Sequence, residues 1–202
     1  MIKEAVLASR NEGKLAEMQA MLAPLGWKLR LISDFTNESA DEPASTFVEN
    51  ALLKARHAAL VSGLPAIADD SGLQVDALDG APGVLSARYA GEHATDAQNN
   101  QKLLAALKGV PDEKRTARFV CVMAFLRSAE DPLPIIAQGL WRGSILHNPH
   151  GNNGFGYDPL FRVAEHKCAA AELSAEVKNK ISHRARAAKH LYSSLHDALA
   201  HD

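Results

Sequence analysis

Two adjacent carboxylates, Asp69 and Asp70, follow a short apolar run from Leu64 to Ala68 and precede Ser71 and Gly72. A buried strand has no structural use for neighbouring charges, because burying charge without a partner is costly. Carboxylates at the carboxyl end of a strand, ahead of a glycine turn, are where open α/β sheets place ligand and metal chemistry. Asp41 and Glu42 form a second acidic segment upstream. Mg2+ takes one or two protein carboxylates and fills its shell with water and phosphate oxygens, so both segments can serve one ion. The competing readings are a turn whose aspartates cap backbone N–H groups and an exposed acidic loop. Two adjacent carboxylates exceed what a turn needs, which favours metal chemistry at Asp69–Asp70. For Asp41 and Glu42 both readings stay open.

Three further groups have ligand-binding chemistry. Ser9, Arg10, Asn11, Glu12, Gly13 and Lys14 lie between an apolar strand pattern and a helical one. Exposed N–H groups at a helix start attract phosphate, and Ser9, Asn11 and Lys14 add donors. The spacing is not that of a P-loop, and a plain polar turn fits as well. In Gly151–Pro159, three glycines let backbone approach a ligand closely, Phe155 and Tyr157 offer flat faces to a base, and Asp158 is an acceptor. A hairpin or Ω-loop with its aromatics in the core is the alternative. Lys178, His183 and Arg184 cluster around the start of the last helical pattern. Cations there oppose the helix dipole, which makes more sense if they face an anion or a carbonyl; a solvated basic face is the alternative. Lys54 reads either as a helix-face lysine or as another phosphate contact, and His57 and His93 as ordinary surface histidines.

The elements that must position these groups follow from periodicity. Residues 2–8 read as a strand, 12–25 as a helix with Leu15, Met18, Leu22 and Leu25 at helical spacing, and 27–32 as a half-buried strand. Residues 33–45 are an acidic loop. Thr46 with Glu49 fits a capping box for a helix that stops at Gly63. The Asp69–Asp70 strand comes next, then a glycine-rich loop from Ser71 to Ala90. Thr95 with Gln98 fits a second capping box, for a helix carrying Leu103, Leu104 and Leu107. Residues 117–126 and 134–146 read as a hairpin, 147–158 as a loop, and Ser182 as the cap of a final helix with Ala188, Leu191, Leu195 and Leu199 on one face. This order predicts a mixed α/β fold.

Composition narrows the function. The chain has 202 residues, 47% hydrophobic and 23% charged, with a formal net charge of -2. That is ordinary for a globular protein and argues against a nucleic-acid polymer or a membrane surface as partner, so any anion site must be local. Cys121 and Cys168 have no metal-like spacing, and no run matches a signal peptide or a membrane span. A cytoplasmic protein is expected.

In combination and order, the motifs resemble one family. They are V-L-A-S-R-N-E-G-K at 6–14, T-F-V-E-N-A-L-L-K-A at 46–55, A-I-A-D-D-S-G-L at 66–73, G-A-P-G at 80–83, S-A-R-Y-A-G at 86–91, G-F-G-Y-D-P-L-F at 154–161, A-E-L at 171–173 and K-N-K-I-S-H-R at 178–184. The chain resembles the inosine triphosphate pyrophosphatases, specifically the bacterial dITP/XTP pyrophosphatase branch, over nearly its whole length. Ser9 stands where the family often has threonine, and Asp41-Glu42 where the bacterial branch often has two glutamates.

The resemblance implies one domain over 1–202: a central twisted mixed β-sheet with flanking helices and two lobes around an active-site cleft. It implies a homodimer and Mg2+-dependent hydrolysis of ITP, dITP and XTP to monophosphate and pyrophosphate, cleansing the nucleotide pool. Carried over by residue, Ser9 to Lys14 and Ser71 contact the nucleotide, and Asp70 is catalytic base and metal ligand with Asp41 or Glu42. Phe155, Gly156, Tyr157 and Asp158 build the base and sugar pocket, which Lys178, His183 and Arg184 complete. Hypoxanthine and xanthine carry an oxygen at position 6 where adenine carries an amino group, so donors such as His183 or Arg184 would discriminate. A pyrophosphatase for modified pyrimidine nucleotides is the nearest alternative. A non-hydrolysing nucleotide sensor is another, against which the paired carboxylates argue.

Overall fold

The computed structural model describes residues 3–38 and 40–199; Met1, Ile2, Ser39 and Ala200 to Asp202 lie outside it. An open sheet of seven strands is flanked by helices. The strands are β1 (Lys3–Leu7), β2 (Trp27–Leu31), β3 (Ala66–Val75), β4 (Thr116–Leu126), β5 (Ile135–Ile145), β6 (Phe161–Val163) and β7 (Cys168–Ala169), in the order β2-β1-β3-β4-β5-β6-β7. The helices are α1 (Glu12–Leu22), α2 (Phe47–Ser62), α3 (Asp96–Ala106), α4 (Ala175–Ile181) and α5 (His183–Leu199). The chain divides into two compact units: Met1–Asp70 with Cys121–Gly139 and Ala187–Asp202, and Ser71–Val120 with Leu140–Arg186.

In the first unit β1 pairs in parallel with both β2 and β3, the geometry of a βαβ unit. Leu7, Met18, Leu22, Trp27, Ile67, Phe125, Leu191 and Leu195 form its core. Asn11 caps α1 by accepting from Lys14 N at 3.0 Å. Thr46 caps α2, and Gly63, at φ 68°, ends it in the left-handed conformation that glycine adopts without strain. The expected Thr46–Glu49 box is only half built. Thr46 accepts from Glu49 N, but the Glu49 carboxylate takes the Thr46 hydroxyl at 2.5 Å rather than the backbone N–H. Ala51, Ala55 and Ala58 are fully buried on one face of α2, and side chains this small let its backbone lie close to its neighbours. On α5 the buried apolar positions are Ala187, Ala188, Leu191 and Leu195; the side chain of Leu199, expected beside them, lies outside the described part.

In the second unit Leu73, Val75, Leu103, Phe119, Trp141, Tyr157 and Phe161 form the core. Thr95 and Gln98 complete their capping box on α3. Residues 127–134 join β4 to its sheet neighbour β5, too few for the dozen or more of a parallel crossover, as the expected hairpin requires. No helix among the described residues is long and apolar enough to cross a membrane.

Three expectations are corrected. β3 does not stop at Asp69–Asp70 but runs on to Val75, so Ser71–Val75 is strand and not the start of a loop. Asp, Ser and Gly have poor strand propensity, and the burial of Leu73 and Val75 in the second core overrides it. The next stretch is also more ordered than a loop, with 3-10 turns at Asp76–Leu78 and Gly83–Arg88. Third, β6, β7 and α4 went unread because they are too short for periodicity to register. Lys178 therefore lies within α4 rather than ahead of the last helix.

Candidate functional site

Successive side chains of a strand point to opposite faces, so the continuation of β3 separates its two carboxylates. Asp69 meets α1: Lys14 Nζ donates to both of its oxygens, at 2.8 and 2.9 Å. Asp70 meets α2: Lys54 Nζ donates to Oδ1 at 2.8 Å and Asn50 Nδ2 to Oδ2 at 3.4 Å. Both aspartates are about nine-tenths buried, and each has the lysine that burial demands. Adjacent in sequence, the two carboxylates make two separate ion pairs.

The Lys54 ammonium also lies 3.5 Å from Glu42 Oε1. Asn50, 1% exposed, accepts from Ala44 N at 3.1 Å and so ties the acidic segment to the residue that touches Asp70. Glu42, and not the exposed Asp41, is thus the upstream carboxylate that shares a cation with Asp70. Burial pushes the Asp70 carboxyl above its ordinary value, the Glu42 charge adds to this, and the attraction of Lys54 only partly offsets them. Burial pulls Lys54 down, but Asp70, Glu42 and Asp69 together more than reverse it, so its value is raised. Among the described residues no group of three or more His, Cys, Asp or Glu converges as a metal cage. An Asp70–Glu42 pair already arranged around one cation, with oxygen donors only, nonetheless fits Mg2+, which needs no more from a protein.

Beside this group lies a cavity of about 270 Å³ lined by Ser9, Arg10, Glu38, Glu42, Lys54 and His57. Lys54 and His57, three apart on α2, share a helix face. His57 is accordingly half-buried at the cavity and not the surface histidine expected. In the strand-to-helix turn Ser9 Oγ accepts from Asn11 N at 3.1 Å, and Arg10 donates to the Asn37 carbonyl. Glu12 and Gly13 are exposed in the first turn of α1.

The second unit has its own pocket, about 150 Å³, lined by Ser71, Asp96, Phe119, Phe155, Gly156, Tyr157, Asp158, Lys178, His183 and Arg184 among others. Every residue expected there from the glycine-rich segment and the basic helix start is present. Phe155 is 59% exposed, with Lys178 Nζ 5.3 Å and Arg184 Cζ 5.6 Å from its ring centre. Tyr157 is different. It is buried in the core and donates its hydroxyl to the Ser86 carbonyl at 2.8 Å, so it is no open stacking face. Asp158, 3% exposed, is paired with Lys178 and accepts from Phe155 N at 3.0 Å. A Cβ at Gly154, where φ is +77°, would fall 2.1 Å from the Asp158 carboxylate, so this close approach needs glycine. His183 is buried at the start of α5 and stacks on Phe119, 4.8 Å between ring centres and 13° between planes.

The sequence alone leaves Lys54 between two readings, and gives no reading of Asn50, Asp96 or Phe119. The signal for Asn50 was available: Asn50, Lys54 and His57 recur at helical spacing along α2.

The sequence profile of the Ham1 family matches residues 5–194. The chain belongs to the Ham1 family. A relative from Vibrio cholerae is 52% identical over 196 residues, which is 97% of this chain and 98% of its own. One from Pseudomonas syringae pv. tomato is 59% identical over 186 residues, 92% and 93% of the two chains. Both are named dITP/XTP pyrophosphatase. The solved HAM1 protein of Coxiella burnetii superposes with a TM-score of 0.92 at 51% identity, over 96% of this chain and 99% of its own. The Staphylococcus aureus Ham1 protein gives 0.89 at 41% identity, over 97% and 100%. The mixed open sheet is therefore the Ham1 fold.

Proposed function

We propose that this protein hydrolyses non-standard purine nucleoside triphosphates, namely dITP, XTP and ITP, to the monophosphate and pyrophosphate. The observation that carries the reading is the buried Asp70–Lys54–Glu42 group, in a chain whose relatives at 52% and 59% identity are named for this activity. The reading includes Mg2+ as activator, which the Asp70–Glu42 carboxylates support, a cytoplasmic setting, and a homodimer, which rests on the family resemblance alone.

A nucleoside triphosphate carries about four negative charges, so a chain of net charge -2 must supply cations locally. Lys14 and Lys54 supply them from α1 and α2, held in place by Asp69 and Asp70 until phosphate oxygens share them. Ser9, Arg10 and Asn11 add donors at the turn. Asp70 and Glu42 would hold Mg2+, which neutralises phosphate charge when bound. Asp70 orients a water for attack at the α-phosphorus, in line with the departing pyrophosphate, and accepts its proton. Burial raises its pKa in the metal-free protein and a bound cation would lower it again, so orienting the water comes ahead of taking its proton. Phe155 stacks on the base. His183 and Arg184 line the same pocket as donors for a 6-oxygen, where an adenine amino group would leave donor facing donor.

The test is pyrophosphate release from dITP, XTP, ITP, GTP, ATP and a modified pyrimidine triphosphate, with and without Mg2+. Release from the first three and not from ATP is expected, and only with the metal. Equal kcat/KM for ITP and ATP would refute the donor account, and preference for the pyrimidine would replace the substrate class.

A further inference from the structure

Gly156 has no side chain, yet α3 grips it from both sides. Its N–H donates to Asp96 Oδ2 at 2.7 Å, and its carbonyl accepts from Asn100 Nδ2 at 2.9 Å. Asp96 and Asn100 are four residues apart in α3 and so share one helix face. Asp96 opens the helix, where the N-terminal partial positive charge favours a carboxylate. The complete Thr95–Gln98 capping box fixes that turn. Gly156 itself sits at φ +62°, a left-handed conformation.

The next residue back is Phe155, whose ring is exposed. Its neighbours Lys178 and Arg184 lie over the ring without enclosing it. Its direction is therefore set by its backbone, which Asp158 holds at the Phe155 N–H and carbonyl and which α3 holds on the other side through Gly156. Tyr157, on the other side, is anchored independently in the core.

We infer that Asp96 and Asn100 are positioning residues for base recognition: by locking Gly156 they hold the Phe155 ring ready for the purine. This rests on the nucleotide reading of the preceding subsection. The role is indirect and is exerted through Phe155. Releasing Gly156 lets the ring wander, and the binding step must then order it. A stacked ring contacts substrate and transition state alike, so the loss falls on KM and not on kcat.

The experiment measures steady-state pyrophosphate release from XTP, with Mg2+, for Asp96→Ala, Asn100→Ala and Phe155→Ala and for each of the first two combined with the third. Calorimetric Kd for XTP and thermal unfolding are recorded on the same proteins. Each α3 variant is expected to raise KM about three- to tenfold with kcat changed by less than about twofold. Combined with Phe155→Ala, neither is expected to raise KM further, because coupled residues are non-additive. Asp96→Asn, which keeps an acceptor oxygen, restores most of the affinity. Fully additive KM effects would mean direct contact or an unrelated site, and overturn the proposal. So would a fall in kcat and melting temperature with KM unchanged, which marks a merely structural role. If the wild type releases no pyrophosphate, hydrolysis fails on its own, and the same coupling pattern in Kd still decides the positioning role.

Discussion

Asp70 and Phe155 stand in opposite surroundings. Asp70 is buried mid-strand, with an amide and an ammonium on its carboxylate and a second carboxylate behind the ammonium. Phe155 is exposed on a glycine-rich loop whose bonds are made by backbone groups. A charged group held on a strand between helices has little freedom, which suits a group that must meet a reacting atom in one geometry. An aromatic face on a tethered loop tolerates a range of flat ligands, which suits recognition. The difference predicts that damage at the first region removes chemistry while damage at the second removes affinity.

The largest effect tests the first half of that statement. Asp70→Asn keeps the shape and the bond from Lys54 but removes the base and a metal-binding charge. Pyrophosphate release from XTP is expected to fall by about 10²–10⁴-fold, the usual worth of a positioned acid or base. Calorimetric binding of XTP is expected to survive. Wild-type turnover by this variant would move the chemistry elsewhere and dissolve the contrast.

A pair of aromatic substitutions tests the second half. Phe155→Ala removes a face whose stacking on a base is worth about 1–3 kcal/mol, so KM is expected to rise about 5- to 150-fold with kcat retained. Tyr157→Phe, two residues along, removes only the hydroxyl bond to Ser86. It is expected to lower stability by about 1 kcal/mol in denaturant unfolding and to leave KM unchanged. Matching KM effects in the two variants would show that both aromatics face the ligand.

How far the sequence reached depends on how local each signal is. The caps Thr46, Gly63, Thr95 and Ser182 act within one helical turn, and helix limits were legible from them. The ion pairs were not. Lys14 lies 55 residues from Asp69, and Lys54 lies 16 from Asp70, so no window contains both partners. The Asp69–Asp70 pair draws attention for a sound reason, buried charge, but the strand expected to end there runs on past polar residues of low propensity. Asp96 escaped because an acidic residue in a first helical turn is already explained by the helix dipole. The aromatic loop was legible as a group while its two rings were not told apart: nothing local distinguishes Phe155, which stays exposed, from Tyr157, which a carbonyl 71 residues away draws into the core.

The smallest expected effect concerns how the first region sets its own charge. In the metal-free protein the Asp70 carboxyl titrates above its ordinary 3.8, raised by burial first and by Glu42, and held back by Lys54 and Asn50. The sign follows from linkage. A carboxyl with a raised folded-state pKa holds its proton more tightly than in the unfolded chain. Its ionised form therefore costs stability at neutral pH; the cost shrinks as pH falls below the folded value and is gone below the ordinary 3.8 of the unfolded chain. Glu42→Gln removes a like charge and should move the Asp70 titration down; Lys54→Met removes the main attraction and should move it up. Difference infrared spectroscopy of the carboxyl band in metal-free protein, with Asp70→Asn as the blank, reads both shifts. If Glu42→Gln leaves the titration where it was, Glu42 is not electrically part of the Asp70 group, and the first region reduces to a simple lysine–aspartate pair with no more organisation for chemistry than the Lys178–Asp158 pair of the second.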